Sequence, residues 1–240
     1  MKVIPLKQGN YTVNQNKKFT LIDTDSTATG TKVAIQPFLV ITENDYVLMD
    51  TGFNSNQEEV PPVVQCLENE NIKPEKITKV LISHLHKDHI DGIGYLSNGK
   101  LMGSFPNATI YLQRRELDFA FTQTGNPSYR IDMLQQLAEL PNVVLLDDDQ
   151  GSITDEITYQ VSGGHTPFHQ VFWVKEKEET IFYGADNLPQ QNYLKYPLAF
   201  KNDFDGKKAL EARQEWSEKG KQQNWKVLLY HDLGNPILQF

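Results

Sequence analysis

Short apolar runs separated by turn residues dominate the chain. Runs over residues 2–6, 77–83, 108–113, 143–146, 153–161, 171–174, 180–183 and 227–230 have strand length and strand composition, rich in Val, Ile, Leu, Phe and Tyr. Runs over 32–42 and 45–49 flank Glu43-Asn44 and read as a β-hairpin. The polar stretch 14–31 has weak periodicity and reads as a long loop.

Helical patterns fall between these runs. Pro61 and Pro62 suit the first turn of a helix reaching about residue 71, with Val63, Val64 and Leu67 on one face. Residues 116–121 and 132–140 make two more. Asp205 is placed to cap a helix over 206–219, with Ala209, Ala212 and Trp216 on one face and Gly220 as its stop. Strands in two groups, each followed by helices, suggest two packed sheets with helices outside. No repeat, low-complexity tract or linker divides the chain, so a single domain over 1–240 is expected.

Composition narrows the function classes. Hydrophobic residues at 39% and charged residues at 22% describe an ordinary globular chain. A net charge of −8 argues against a nucleic-acid partner, whose phosphates demand a basic face. One cysteine, Cys66, excludes an internal disulfide and reads as a small helix residue. No apolar run reaches membrane-spanning length, and residues 1–8 lack the apolar segment of a signal peptide, so a cytoplasmic location is expected.

The chemistry concentrates in Ser83-His84-Leu85-His86-Lys87-Asp88-His89. Three imidazoles and a carboxylate crowd into six residues there. Such a group is poor core material and good metal chemistry. His84 and His86, two apart, point the same way if extended and suit one ion. Asp88 and His89, past a change of direction, suit a second. The remaining histidines are His165 and His169, after Gly163-Gly164, and His231. Asp186 stands in Gly184-Ala185-Asp186. Each cluster follows an expected strand, where a rigid scaffold holds loops in place.

The order H-x-H-x-D-H, G-H-T-P, Gly-Ala-Asp and a late His resembles the metallo-β-lactamase superfamily over nearly the whole chain. Within it the chain looks most like quorum-quenching N-acyl-homoserine lactonases and methyl parathion hydrolase-like proteins. The resemblance implies an α+β fold, a four-layer αββα sandwich. It also implies two divalent cations, zinc by default with manganese or iron as alternatives. His84, His86 and His165 would hold one, Asp88, His89 and His231 the other, and Asp186 would bridge them. Asp50, at an expected strand end, takes the family's place for a residue that orients a metal-bound histidine. His169 falls at a position that is structural rather than ligating.

The implied activity is hydrolysis of a small ester-like substrate by a metal-bridging hydroxide, with Asp88 as the catalytic carboxylate. A lactone ranks first, and a phosphotriester or a glyoxalase-type thioester is the alternative. A ribonuclease Z-type nuclease shares the ligands, but the acidic balance speaks against it. A non-catalytic metal-binding protein is the reading from another class. A homodimer is compatible with the resemblance; no membrane partner is expected. Two departures stand out. Pro189 occupies the place of a lactonase tyrosine, and Phe168 that of a glycine. The nearby Tyr193 and Tyr196 are candidates to line the pocket.

Overall fold

A computed structural model describes residues 1–22 and 29–240. One six-stranded sheet runs, in spatial order, Lys2–Pro5, Phe38–Ile41, Tyr46–Met49, Lys79–Leu81, Thr109–Gln113 and Val143–Leu146. Its first three strands are antiparallel, and the rest pair in parallel. A second six-stranded sheet runs Gln150–Ser152, Ile157–Val161, Gln170–Glu176, Glu179–Tyr183, Lys226–Leu228 and Ile237–Gln239. Only Glu179–Tyr183 and Lys226–Leu228 pair in parallel there.

Period-two alternation stacks these sheets. Phe38, Val40, Val47, Met49 and Leu81 of the first sheet meet Phe172, Val174, Ile181, Tyr183 and Leu228 of the second. Their neighbours Leu39, Leu48 and Val80 face the opposite way, onto Val63, Leu67, Leu117, Met133 and Leu137 of helices Pro62–Asn69, Arg114–Phe121 and Ile131–Ala138. On the far side, Val171, Phe182 and Val227 pack with Trp216 of helix Gly206–Gln222. Three cores between four layers make the expected αββα sandwich. Each large apolar side chain so buried contributes about 1.5–3 kcal/mol, which is why both faces of the sheets are apolar.

Several elements depart from the sequence reading. The run over 32–42 is two strands in two sheets, broken at Gln36-Pro37. Buried Gln36 donates from Nε2 to Leu229 O (2.8 Å) and Asp232 O (2.9 Å), joining this corner to the segment that carries His231. Thr31–Ile35 pairs instead with Gly9–Val13, which in turn pairs with Phe19–Leu21. The loop expected over 14–31 therefore contains a strand, and its residues 23–28 lie outside the described residues.

The run over 153–161 is cut to Ile157–Val161 by a turn at Thr154, whose Oγ1 accepts from the Glu156 and Ile157 amides. A hairpin, Gly94–Ser97 with Lys100–Gly103, turns at Asn98-Gly99, both with positive φ (51° and 76°). Gly220 does not stop the last helix, which continues to Gln222. A Cβ there would lie 2.3 Å from Phe240 Cδ2, so the glycine admits the final aromatic ring. Phe240 follows a strand, Ile237–Gln239, beyond the one expected to be last.

Candidate metal centre

The first loop leaves the end of strand Lys79–Leu81 beside the end of its parallel neighbour, Tyr46–Met49. Asp50 ends that neighbour, is fully buried, and is surrounded by donors. The Ser83 amide and hydroxyl donate to its two oxygens at 2.7 Å each. His89 Nδ1 (2.7 Å) and the Tyr183 hydroxyl (2.6 Å) donate to Oδ2. Asp50 therefore orients His89, as the resemblance implied. After His86 the chain turns into a short helix, Lys87–Ile90, which swings Asp88 and His89 away from the extended His84–His86 pair.

The other segments arrive from the second sheet. His165 follows Gly163 and Gly164, both in the left-handed region (φ 60° and 91°). A Cβ on Gly164 would lie 2.7 Å from Asn187 Oδ1, the atom that accepts the His165 amide at 2.8 Å. Asp186 sits in a single turn of 3₁₀ helix, Ala185–Asn187, just after strand Glu179–Tyr183. His231 follows Lys226–Leu228.

The seven side chains meet in one place. His84, His86, His165 and Asp186 offer donor atoms within 4.8 Å of one another, and so do Asp88, His89 and His231. His84 Nε2 and His165 Nε2 each lie 3.1 Å from His86 Nδ1. The Asp186 carboxylate faces both groups. Its Oδ1 is 3.1 Å from His89 Nε2 and from His231 Nε2, and its Oδ2 is 3.2 Å from His165 Nε2.

Outer partners fix which ring nitrogen faces inward. His165 Nδ1 donates to Asp203 Oδ1 (2.8 Å), and His231 Nδ1 donates to Ala34 O (2.7 Å). With His89 held on Asp50, three rings are left with Nε2 lone pairs aimed at the centre. The buried His89 Nε2 and Asp186 Oδ1 have no hydrogen-bond partner although 3.1 Å apart. Buried donors and acceptors are rarely left so, and a shared cation would satisfy both. The donor set, imidazole nitrogen with carboxylate oxygen, fits divalent zinc, manganese or iron.

Electrostatics follow the same split. Burial, then the neighbouring imidazoles of His89 and His86, pushes His84 well below its ordinary range; burial and His165 do the same to His86. Both are neutral and ready to ligate. Burial also acts to lower His89 and His231, but Asp186 and Asp88 outweigh it and raise both. Burial would raise Asp186, yet His231, His89 and His165 hold it well below the usual carboxylate range. The carboxylates around the second group thus favour positive charge there, the charge a cation would supply.

A cavity of about 1040 Å³ opens onto His86, Asp88, His165, Asp186 and His231. Pro189 and Tyr193 line it, and Tyr193 stacks on Phe200 with ring centroids 4.3 Å apart. Tyr196 does not reach it and is 60% exposed. Phe168 points elsewhere, its ring 5.0 Å from the Arg115 guanidinium carbon. His169 is buried against His84 (ring centroids 5.1 Å) and belongs to neither donor group.

Sequence reasoning missed four supporting residues. Asp203 resembles any loop acid in Asn-Asp-Phe-Asp. Tyr183 and Tyr230 read as plain core; Tyr230 in fact donates to Asp88 O (2.6 Å) and stacks on His89 (4.1 Å). Glu116, in a helix, is buried under both loops, accepts from the Phe168 amide (3.2 Å), and is raised by burial to about 7.

Known proteins share the sequence and the fold in part. A ribonuclease Z of Pediococcus pentosaceus is 32% identical over 123 residues, 50% of this chain and 38% of that protein. The chain thus spans about two fifths of that relative's length. An N-acyl homoserine lactonase of Bacillus cereus is 25% identical over 219 residues, 82% of this chain and 80% of its own.

Among solved structures, a probable metal-dependent hydrolase from Staphylococcus aureus superposes with a TM-score of 0.78 at 18% identity, covering 99% of this chain and 91% of that one. The dizinc quorum-quenching lactonase AidC gives 0.71 at 24% identity, covering 86% and 75%. No helix among the described residues is long and apolar enough to cross a membrane. The metallo-beta-lactamase superfamily model matches residues 30–231, and the chain belongs to that superfamily.

Proposed function

We propose that this protein uses two divalent cations to hydrolyse a small ester-like substrate, a lactone first and a phosphotriester or thioester second. His84, His86 and His165 would hold one cation and Asp88, His89 and His231 the other, with Asp186 shared. The carrying observation is the divided Asp186 carboxylate, one oxygen 3.1 Å from His89 and His231 and the other 3.2 Å from His165. Zinc is the default occupant for this donor set. When bound, the cations lower the pKa of coordinated water from 15.7 to about 7 and polarise the electrophile.

The chain's own groups would do the rest. Asp88 lines the cavity, with Oδ2 3.6 Å from His231 Nε2 and 3.8 Å from His89 Nε2. From there it would take the proton of the attacking water and return it to the leaving group. Burial raises the Tyr193 hydroxyl to about 12, so it stays a neutral donor at working pH. With Pro189 in the lactonase tyrosine's place, Tyr193 is the tyrosine of the cavity wall that would reach a substrate carbonyl.

The test is elemental analysis of chelator-free protein, then kcat/KM on an acyl-homoserine lactone, an aryl lactone, an aryl phosphotriester and a thioester. Two equivalents of metal and turnover of a lactone are expected, with Tyr193→Phe lowering lactone kcat/KM by about 10²-fold. Metal near zero, even after adding zinc or manganese, refutes the ligand set. Two metals without turnover of any substrate would favour a binding protein.

A further inference from the structure

The cavity carries charge that the hydrolase reading does not use. Lys17 and Lys87 both line it, alongside His86, Asp88, Asp186 and His231. They reach it from two separate segments of the chain. Lys17 stands in the turn between Gly9–Val13 and Phe19–Leu21, at φ 55°. That turn is fixed: the Lys17 amide donates to Asn14 O (3.0 Å), and Asn14 Oδ1 accepts the amides of Asn16 (2.9 Å) and Lys18 (3.1 Å). Lys87 opens the short helix of the metal loop, and its amide donates to Ser128 O (2.8 Å). Its ammonium lies 5.6 Å from the centroid of the Phe19 ring, two residues beyond Lys17.

Both side chains are half-buried. Among the described residues, neither ammonium has a carboxylate within 4.0 Å, whereas Lys79, Lys177, Lys207, Lys219 and Lys226 each do. Asp88 and Asp91 act on Lys87 only from farther off, and the Lys17 charge is felt at both Lys87 and His86. Two like charges held in one half-buried wall repel each other, and an anion between them is attracted by both. Among the described residues, the acids of the cavity are Asp88 and Asp186, ligands of the proposed centre, and Asp203, which accepts from His165, and none of them pairs directly with either lysine. Tyr193 and Phe200 give the same cavity an aromatic wall.

We propose that Lys17 and Lys87 select an ester or lactone whose acyl part carries a carboxylate remote from the scissile bond. This rests on the hydrolase reading. The carboxylate would lie between the two ammonium groups while the scissile carbonyl reaches the metal centre. Lys87 is fixed to the loop that bears the ligands and Lys17 to a separate turn, so the pair also reads how far the carboxylate lies from the ester.

The experiment compares two esters with the same leaving group, 4-nitrophenyl acetate and the 4-nitrophenyl monoester of glutaric acid, on the zinc-loaded full chain. The readout is the ratio of kcat/KM, glutarate over acetate. A ratio of about ten or more at low salt is expected, collapsing towards one near 1 M NaCl, where the screening length is about 3 Å. Lys17→Gln and Lys87→Gln should each cut the ratio about fivefold, through KM rather than kcat, and Lys17→Arg should restore it.

A ratio near one that neither substitution moves would overturn the proposal while leaving the hydrolase intact. Preference for bis(4-nitrophenyl) phosphate over both esters would also overturn it, since the recognised charge would then sit on the reacting group. Failure of these esters and also of the lactones, phosphotriester and thioester, with two metals bound, would refute the hydrolase reading itself, and the lysine proposal with it.

Discussion

Asp50→Asn is a change of one atom that reports on the whole centre. The carboxylate is fully buried and accepts four hydrogen bonds, one at Oδ1 from the Ser83 amide and three at Oδ2. The asparagine nitrogen cannot accept. Its least costly orientation puts the nitrogen at the Oδ1 site, facing the Ser83 amide, which cannot turn away. One buried N–H is then orphaned, at about 1–3 kcal/mol, and three bonds lose charge assistance, at about 1 kcal/mol each. Against this, an amide avoids the desolvation of a buried carboxylate, so the net loss is about 3 kcal/mol. His89 also loses the partner that directs its Nε2 inward, and metal affinity should fall about 10–100-fold. Urea unfolding of the metal-free proteins and a competitive zinc titration measure both effects. Tyr183→Phe, which removes a single donor, should cost about 1 kcal/mol and leave zinc affinity within a few-fold. Zinc affinity equal to wild type in Asp50→Asn, with stability within about 0.5 kcal/mol, would refute the role of Asp50 as the orienting partner.

Two further outcomes are expected. Asp186→Asn leaves one oxygen to serve two donor groups, so metal content should drop from two equivalents to about one and ester turnover by about 10² or more; full occupancy and unchanged turnover in that variant would exclude the shared ligand. Glu116 is raised by burial from 4.5 to about 7. Its raised folded pKa means that the metal-free protein is most stable, with respect to this group, below about 4.5 and loses that stability as pH climbs through about 7. The full difference is about 3 kcal/mol, which Glu116→Gln should abolish between pH 4.5 and 8; identical pH slopes for the two proteins would show that Glu116 does not titrate there.

The chain made its candidate ligands easy to read because they sit at strand ends in dense local patterns. His84 to His89 is one short loop, and Gly163-Gly164 announces the bend before His165. The same local logic placed Val143–Leu146 and the Asp205 cap, whose side chain accepts from the Lys208 amide at 3.0 Å. Where local rules competed with long-range packing they misled. Gly220 looks like a helix stop and is instead the gap that receives Phe240. The apolar run over 32–42 looks like one strand and is two, because Gln36 is bonded to the segment before and after His231.

Residue type and spacing by themselves reached a mixed α and β chain with a metal-binding loop at His84–His89; the αββα class, the seven candidate ligands and the orienting place of Asp50 followed from the resemblance those motifs carry. Those properties depend on side-chain chemistry and on periods of two residues or a few, which sequence preserves. Only the tertiary structure decided that Asp186 divides its oxygens between two groups, that Asp203 serves His165, that Tyr193 rather than Tyr196 lines the cavity, and that Lys17 and Lys87 share one wall. Each of these is a meeting of segments tens or hundreds of residues apart. Their relative position is set by how the two sheets stack, and no local pattern records it.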